Sequence, residues 1–303
     1  MKILLTGASG FTGRPFADMA RAAGHEVVAL TCDLGDKAAL RQQVLAAAPD
    51  TVVHLAAISF VGQADDNAFY AVNVVGTMNL LDALLALPQA PHRVLLASSA
   101  NVYGNCDASP ITENQSPAPM NHYATSKLAM EHMARTLGNR LSLMFTRPFN
   151  YTGVGQDNKF LIPKLVSHFA RRAPAIELGN LYVEREFNDV NMVCAAYLQL
   201  LEHGQPAEIY NICSGNAYTL QHVIELLSRI TGHHIDVTVN PAFVRIGEVH
   251  RLCGSPAKLQ ALPAPAGGIP ATRSLEETLR HMLAAAEREY HALAATTDST
   301  VQS

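Results

Sequence analysis

Lys2-Ile3-Leu4-Leu5-Thr6-Gly7-Ala8-Ser9-Gly10-Phe11-Thr12-Gly13 stands at the start of the chain. Ile3 to Thr6 is a short apolar, β-prone run of the kind that forms a strand buried in a parallel sheet. Three glycines at intervals of three follow at once, and a helical pattern then runs from about Phe11 to Ala23. Glycine at 7, 10 and 13 turns the chain tightly, lets the backbone approach a pyrophosphate, and lets the helix pack on the strand. The helix N-terminus then faces the phosphates with its N–H groups and the positive end of its dipole. A glycine trio alone is only a tight turn. The strand before it and the helix after it make it a dinucleotide site, with Gly7, Gly10, Phe11, Thr12 and Gly13 as cofactor-binding residues.

The pattern continues as strands alternating with helices. Glu26 to Leu30 is a second strand. Asp50 to Ala57 is a third, and its last residues, Leu55, Ala56 and Ala57, are small enough at the end to admit a cofactor. A long helix covers about 66 to 87 before Pro88 and Pro91. Val94 to Ser98 is strand four, a helix covers about 121 to 138, and Leu141 to Thr146 is strand five. This order predicts an α/β fold, a doubly wound parallel sheet (Rossmann) with right-handed crossovers, over residues 1–149. From Asn150 the loops lengthen and helices fall irregularly, at about 161–171, 190–203, 220–230 and 275–290. That predicts a smaller α+β substrate lobe over 150–293, with segments near 187–213, Ile209 to Ile212 among them, returning to the first domain. A small, polar tail at 294–303 is expected to be disordered. Asp33, twenty residues after Gly13 and followed by Leu34, has three readings: a ribose contact, an adenine contact, or a cap on the helix starting near Asp36. Arg14 either attracts a 2′-phosphate or is a solvated charge. The cofactor is therefore NADP(H) or NAD(H), with a lean to NADP.

Composition excludes several classes. The 303 residues carry a net charge of −4 without a strong basic block, which argues against nucleic acid as a partner. Five widely spaced cysteines, with no Cys-x-x-Cys, suggest neither a disulfide framework nor zinc, and fit a reducing, cytoplasmic setting. Thirteen histidines include no His-x-x-x-His or His-Glu-x-x-His, so no metal site is expected. The chain runs directly into its first strand pattern, so no signal peptide is expected, and no apolar run is expected to span a membrane.

A second stretch carries the chemistry. Ser99 ends the run Arg93-Val94-Leu95-Leu96-Ala97-Ser98-Ser99, and Tyr123 and Lys127 stand four residues apart. On a helix both side chains lie on one face, one turn apart. An ammonium so placed lowers the pKa of the phenol. A serine hydroxyl from a nearby strand end completes a hydrogen-bonded set around a carbonyl or carbinol, which suits proton transfer accompanying a hydride.

Gly7-x-x-Gly10-x-x-Gly13, Ser98-Ser99-Ala100-Asn101-Val102-Tyr103-Gly104, Tyr123-x-x-x-Lys127 and Arg147-Pro148-Phe149-Asn150 occur in that order. Together they resemble an extended short-chain dehydrogenase/reductase of the nucleotide-sugar branch, over about residues 1 to 290. The resemblance implies catalytic roles for Tyr123 as acid/base, Lys127 as its tuner and holder of the nicotinamide ribose, and Ser99 as binder of the reacting oxygen. It also implies a homodimer through a four-helix bundle. The helices contributing to it would present Met78, Leu81, Leu84 and Leu85, and Met130, Met133 and Leu137.

Gly179-Asn180-Leu181, Arg185-Glu186-Phe187-Asn188-Asp189-Val190, Tyr210 to Gly215 and Arg245-x-x-Glu248-Val249 resemble the GDP-mannose dehydratase and GDP-4-keto-6-deoxy-D-mannose reductase group. That implies a GDP-hexose substrate bound by Ser99, Asn150, Asn180, Arg185, Arg245 and Glu248, the arginines clamping the diphosphate. Two positions depart from the group's pattern: Glu186 stands for Asp, and Ile246 for Pro. In the family's 4,6-dehydratases an acidic residue two positions after the catalytic Ser/Thr removes the C5 proton. Here that residue is Asn101, which cannot act as a base. Three readings follow: reduction of a GDP-4-keto-6-deoxyhexose to GDP-D-rhamnose or its C4 epimer, a nucleotide-sugar 4-epimerase with bound NAD, and a non-catalytic nucleotide-binding scaffold.

Overall fold

A computed structural model describes residues 1–59, 65–243, 249–264 and 273–301, the side chains of the last nine of these excepted. β1 (Lys2–Thr6), α1 (Gly13–Ala22), β2 (Glu26–Ala29), α2 (Lys37–Ala47) and β3 (Thr51–His54) alternate as the sequence requires. One continuous helix follows: α3 (Asp66–Tyr70), a π-helical segment (Ala71–Gly76) and α4 (Thr77–Leu85). β4 (Arg93–Ala97), α5 (His122–Arg135) and β5 (Leu143–Pro148) complete the first half. Then come β6 (Tyr151–Thr152), α6 (Leu161–Ala170), β7 (Ala175–Leu178), β8 (Glu184–Arg185), β9 (Asn188–Asp189), α7 (Val190–His203) and β10 (Ile209–Ile212). β11 (Tyr218–Thr219), α8 (Leu220–Thr231), β12 (Asp236–Val239), β13 (Arg251–Leu252), α9 (Ala257–Gln260) and α10 (Leu275–Val301) end the chain.

Six strands form one parallel sheet in the order β10-β5-β4-β3-β1-β2. Two apolar layers cover it. On one face Phe16 of α1 and Val193 and Tyr197 of α7 pack on Ile3, Leu5 and Val53. On the other, Leu40 and Val44 of α2, Leu80 and Leu84 of α4 and Met130 of α5 pack on Leu4, Val52 and Val94. Strand order reverses between β1 and β3, where ligands of such sheets bind. A third core joins α6, α8 and α10 with Ile176, Leu178 and Phe187, away from the sheet.

Two expectations change. α10 runs through Val301, where the sequence reading expects a disordered tail from 294; Ala292 to Ala295 are helix-favouring and carry the helix on. Leu81, Leu84 and Met130 are fully buried within the chain, so they offer nothing to a partner; the exposed apolar residues of that face are Val75 and Met133. The continuous helix Asp66–Leu85 is 20 residues long with a mean hydropathy of 1.4, enough by length and composition to cross a bilayer. Its buried polar side chains are nonetheless bonded inside the fold: Asn73 to Ile58 and Ser126, Asn79 to the Leu34 carbonyl, Thr77 to His54. It is a core helix of this sheet.

The His54 contact fixes a directed chain of hydrogen bonds. Thr6 Oγ1 accepts the N–H groups of Leu55 (3.1 Å) and Ala56 (3.0 Å), which fills both its acceptor positions. Its own proton goes to His54 Nδ1 at 2.7 Å. His54 therefore carries its proton on Nε2 and donates to Thr77 Oγ1 at 2.8 Å, which donates to the Asn73 carbonyl. Burial and the nearby Lys127 charge push the His54 pKa down to about 3 from 6.5. In the window between these values the unfolded chain binds a proton that the fold refuses, so stability falls as pH falls. Between about pH 7 and pH 5 the wild type should lose about 2 kcal/mol more than His54→Asn in denaturant unfolding. Equal losses would mean that His54 titrates normally in the fold.

Candidate active site

At the switch point the β1–α1 turn comes against β3. Gly7 has φ +69°, and a Cβ there would lie 2.8 Å from the Ala56 nitrogen; a Cβ on Gly13 would lie 2.1 Å from the Gly7 carbonyl oxygen. Only glycine permits this turn, which points the N-terminus of α1 into a cleft of about 660 Å³. Gly7, Gly10, Phe11, Thr12, Gly13, Leu55 and Ala57 line it from the sheet side, and Ser99, Tyr123, Lys127 and Asn150 from the other.

α5 begins with Asn121, whose Oδ1 accepts the Ala124 N–H at 2.9 Å. This cap sets the helix phase that turns Tyr123 and Lys127 into the cleft. Phe69 of α3 packs on the Tyr123 ring, centroids 6.0 Å apart. One turn past Lys127, Glu131 binds Arg147 of β5 through two hydrogen bonds of 2.9 and 2.6 Å, both side chains buried. The Arg147 guanidinium lies 4.8 Å over the Tyr103 ring, and Tyr103 donates to Asn211 of β10 at 2.7 Å. The helix carrying Tyr123 and Lys127 is thus fixed to three neighbouring elements.

Burial pushes the Tyr123 phenol above its ordinary value, opposed by a hydrogen bond with Ser99. The Lys127 ammonium is buried, donates to the Ala97 carbonyl at 2.7 Å, and is pushed down to about 8 by burial, against the pull of Glu131. Ser99 Oγ accepts from the Asn101 backbone N–H at 3.2 Å and from Asn101 Nδ2 at 3.3 Å.

These residues fit a dinucleotide. The glycine turn is a cradle with no room for side chains, Lys127 has N–H groups beyond the one on Ala97, and Ser98 Oγ is buried in the cleft wall with no hydrogen-bond partner among the described residues. The turn and the N-terminus of α1 would hold the phosphates, and Lys127 a ribose.

Other expected contacts lie elsewhere. Asp33 is exposed and its Oδ1 accepts the Gly35 N–H at 2.6 Å, while Asp36 itself caps α2. Leu34 is buried against Gly76, and Ala56 bonds Thr6 behind the turn. Arg14 is exposed and donates to the Ser9 carbonyl. Asn180 accepts the Tyr182 N–H, and the Arg185 guanidinium donates to the carbonyls of Glu184, Val249 and His250, holding β8 to β13. None of Asp33, Leu34, Ala56, Asn180 and Arg185 lines the cleft. Arg245 and Glu248 lie outside the described residues. Glu186, where the group has Asp, is fully buried; its longer carboxylate accepts from Asn188 of β9 and from Ser214 and Gly254, tying together segments after β8, β10 and β13. Sequence reasoning missed Tyr151. It lies in the cleft wall, stacks on Phe11 at 5.9 Å and shares a 2.8 Å hydrogen bond with Thr12, and burial pushes its phenol up to about 12. Its position directly after Asn150 was the only available signal.

A dinucleotide cradle facing a buried Ser–Tyr–Lys set defines an NAD(P)-dependent oxidoreductase. The chain belongs to the NAD dependent epimerase/dehydratase family, whose model matches residues 3–213. Within it, the chain is 36% identical to GDP-6-deoxy-D-talose 4-dehydrogenase of Aggregatibacter actinomycetemcomitans, over 86% of this chain and 90% of that protein. It is 36% identical to GDP-6-deoxy-D-mannose reductase of Pseudomonas aeruginosa, over 85% and 89%. The structure of RMD from that organism complexed with NADPH superposes with a TM-score of 0.85, at 33% identity over 95% of this chain and 100% of that one. UDP-glucose 4-epimerase of Corynebacterium glutamicum is 29% identical over 86% and 87%. These relatives place the chain in the nucleotide-sugar branch of the extended short-chain dehydrogenases/reductases.

Proposed function

We propose that the chain reduces the C4 ketone of GDP-4-keto-6-deoxy-D-mannose with NAD(P)H, giving GDP-D-rhamnose. The observation carrying this reading is that Ser99 and Tyr123 line one cleft beside Asn101: the site holds a proton donor for a carbonyl oxygen and an amide where a dehydratase needs a carboxylate. The two relatives at 36% identity, both named for C4 or deoxymannose redox chemistry on GDP-sugars, support it.

The nicotinamide, when bound, supplies the hydride. Tyr123 gives its proton to the sugar's C4 oxygen, and Ser99 donates a hydrogen bond to the same oxygen as negative charge develops. Lys127 holds ribose and adds positive charge behind the phenol. The raised Tyr123 pKa keeps the phenol protonated at neutral pH, as reduction requires. Asn150, in the cleft, contacts the sugar or its phosphate.

The epimerase reading has its own support, because the C. glutamicum relative is named for that activity and a Ser-Ala-x-Val-Tyr-Gly segment suits both. A panel of nucleotide sugars with NADH and NADPH separates them. The proposal expects stoichiometric loss of reductant with the 4-keto-6-deoxy sugar, and no 4-keto-6-deoxy product from GDP-mannose with oxidised cofactor. Interconversion of C4 epimers without net reductant would establish the epimerase, and dehydration of GDP-mannose would move the chain to the dehydratases.

The active form is proposed to be a homodimer through the α4–α5 face. Val75 and Met133 are 54% and 47% exposed there, on neighbouring helices. Light scattering at micromolar concentration should give twice the chain mass, and Val75→Glu with Met133→Glu should give the monomer, since burying unpaired charge costs several kcal/mol. A dimer surviving both changes would put the interface elsewhere.

A further inference from the structure

We infer that Asn101 is a positioning residue: it fixes the Ser99 hydroxyl as a donor toward the reacting oxygen. The inference rests on the ketoreductase reading for its role in turnover, and on geometry alone for the orientation.

A serine hydroxyl has one proton and two acceptor positions. Ser99 Oγ faces two N–H groups of the same residue, the backbone N–H of Asn101 at 3.2 Å and its Nδ2 at 3.3 Å. Both acceptor positions are filled from the protein side, so the proton is left to point into the cleft, whose wall Tyr123 shares. The backbone contact belongs to the turn: Ser99, extended at φ −158° and ψ 145°, caps the 3-10 helix Ala100–Tyr103. The second contact belongs to residue 101 alone. An ionised carboxylate there only accepts, and would draw the Ser99 proton away from the cleft. Residue 101 thus sets the polarity of the pair. With Asn, Ser99 and Tyr123 both donate to an oxygen gaining negative charge, which is what reduction of a ketone asks of the site.

The absence of tryptophan leaves the nine tyrosines to dominate the phenolate difference absorbance of the cofactor-free protein, and subtracting Tyr123→Phe isolates Tyr123. Asn101→Leu should move the Tyr123 ionisation upward by about half a pH unit or more, because the hydroxyl is freed to rotate away from the phenolate. It should lower kcat about 5- to 20-fold, with KM within about twofold. In a Ser99→Ala background Asn101→Leu should add nothing to either readout, since its effect passes through Ser99. Asn101→Asp, which keeps the side-chain size, should lower kcat further than Asn101→Leu. Effects of Ser99→Ala and Asn101→Leu that simply multiply, or an unmoved Tyr123 ionisation in Asn101→Leu, would overturn the inference. A shifted ionisation without turnover on any 4-keto sugar would leave the orientation standing and reject the ketoreductase reading.

Discussion

Tyr123→Phe is expected to lower turnover by about two to four orders of magnitude, the span of a positioned general acid. The phenol is 8% exposed, lies beside Ser99 in the cleft wall, and is braced by Phe69, so the substitution removes one oxygen and leaves the ring packing intact. Cofactor affinity should change little, because the glycine turn and Lys127 are untouched. Substrate KM should stay within a few-fold, since the proton is given in the transition state. Stability should hold or rise slightly, as a buried hydroxyl is replaced by hydrogen. Near-normal turnover in this variant would remove Tyr123 from the mechanism, whatever the fold.

Lys127→Met is expected to separate activity from stability. Lys127 is 5% exposed, and its pKa is pushed down to about 8 from 10.5 by burial. Below about pH 8 the group is charged in both states, so the fold carries the whole cost of burying it, on the order of 3 kcal/mol. That cost fades as pH rises from about 8 to 10.5, where the buried group releases its proton before the unfolded chain does. Methionine fills the same space without charge, and Glu131 keeps its two bonds to Arg147. The cofactor-free variant should therefore melt a few degrees above wild type at pH 7, with the gap narrowing toward pH 10, while turnover falls about a hundredfold or more. A variant less stable than wild type would show that Lys127 is a structural residue.

The sequence exposed the parts of this protein that depend on local rules. β1, the glycine turn and α1 follow from sterics within twelve residues. Tyr123 and Lys127 follow from helical spacing and the Asn121 cap. What it hid depends on competition for hydrogen bonds over long separations. Arg185 reads as a phosphate clamp from its charge; that the carbonyls of Val249 and His250, more than sixty residues on, accept from its guanidinium is not legible there. Asp33 leaves a ribose contact, an adenine contact and a cap open in the sequence; in the fold its Oδ1 accepts the Gly35 N–H, and Asp36 caps α2. The Thr12–Tyr151 bond spans 139 residues, and no local pattern announces it. His54 looked like any strand residue, yet Thr6 and Thr77 fix its tautomer and tie the glycine turn to the α4 helix. Of the apolar residues on α4 and α5 read as surplus in the sequence, Leu81, Leu84 and Met130 turn inward, Met78, Leu85 and Leu137 are half-buried, and Met133 is exposed.

The central claim is that hydride reaches C4 of a nucleotide-linked ketosugar. Reduced cofactor carrying deuterium at the transferable position of its nicotinamide, incubated with the enzyme and GDP-4-keto-6-deoxy-D-mannose, tests it most directly. NMR of the product should show one deuterium at C4, in the configuration of GDP-D-rhamnose, with an equal loss of reductant. Deuterium at any other carbon, or consumption of the ketosugar without deuterium uptake, would contradict the account.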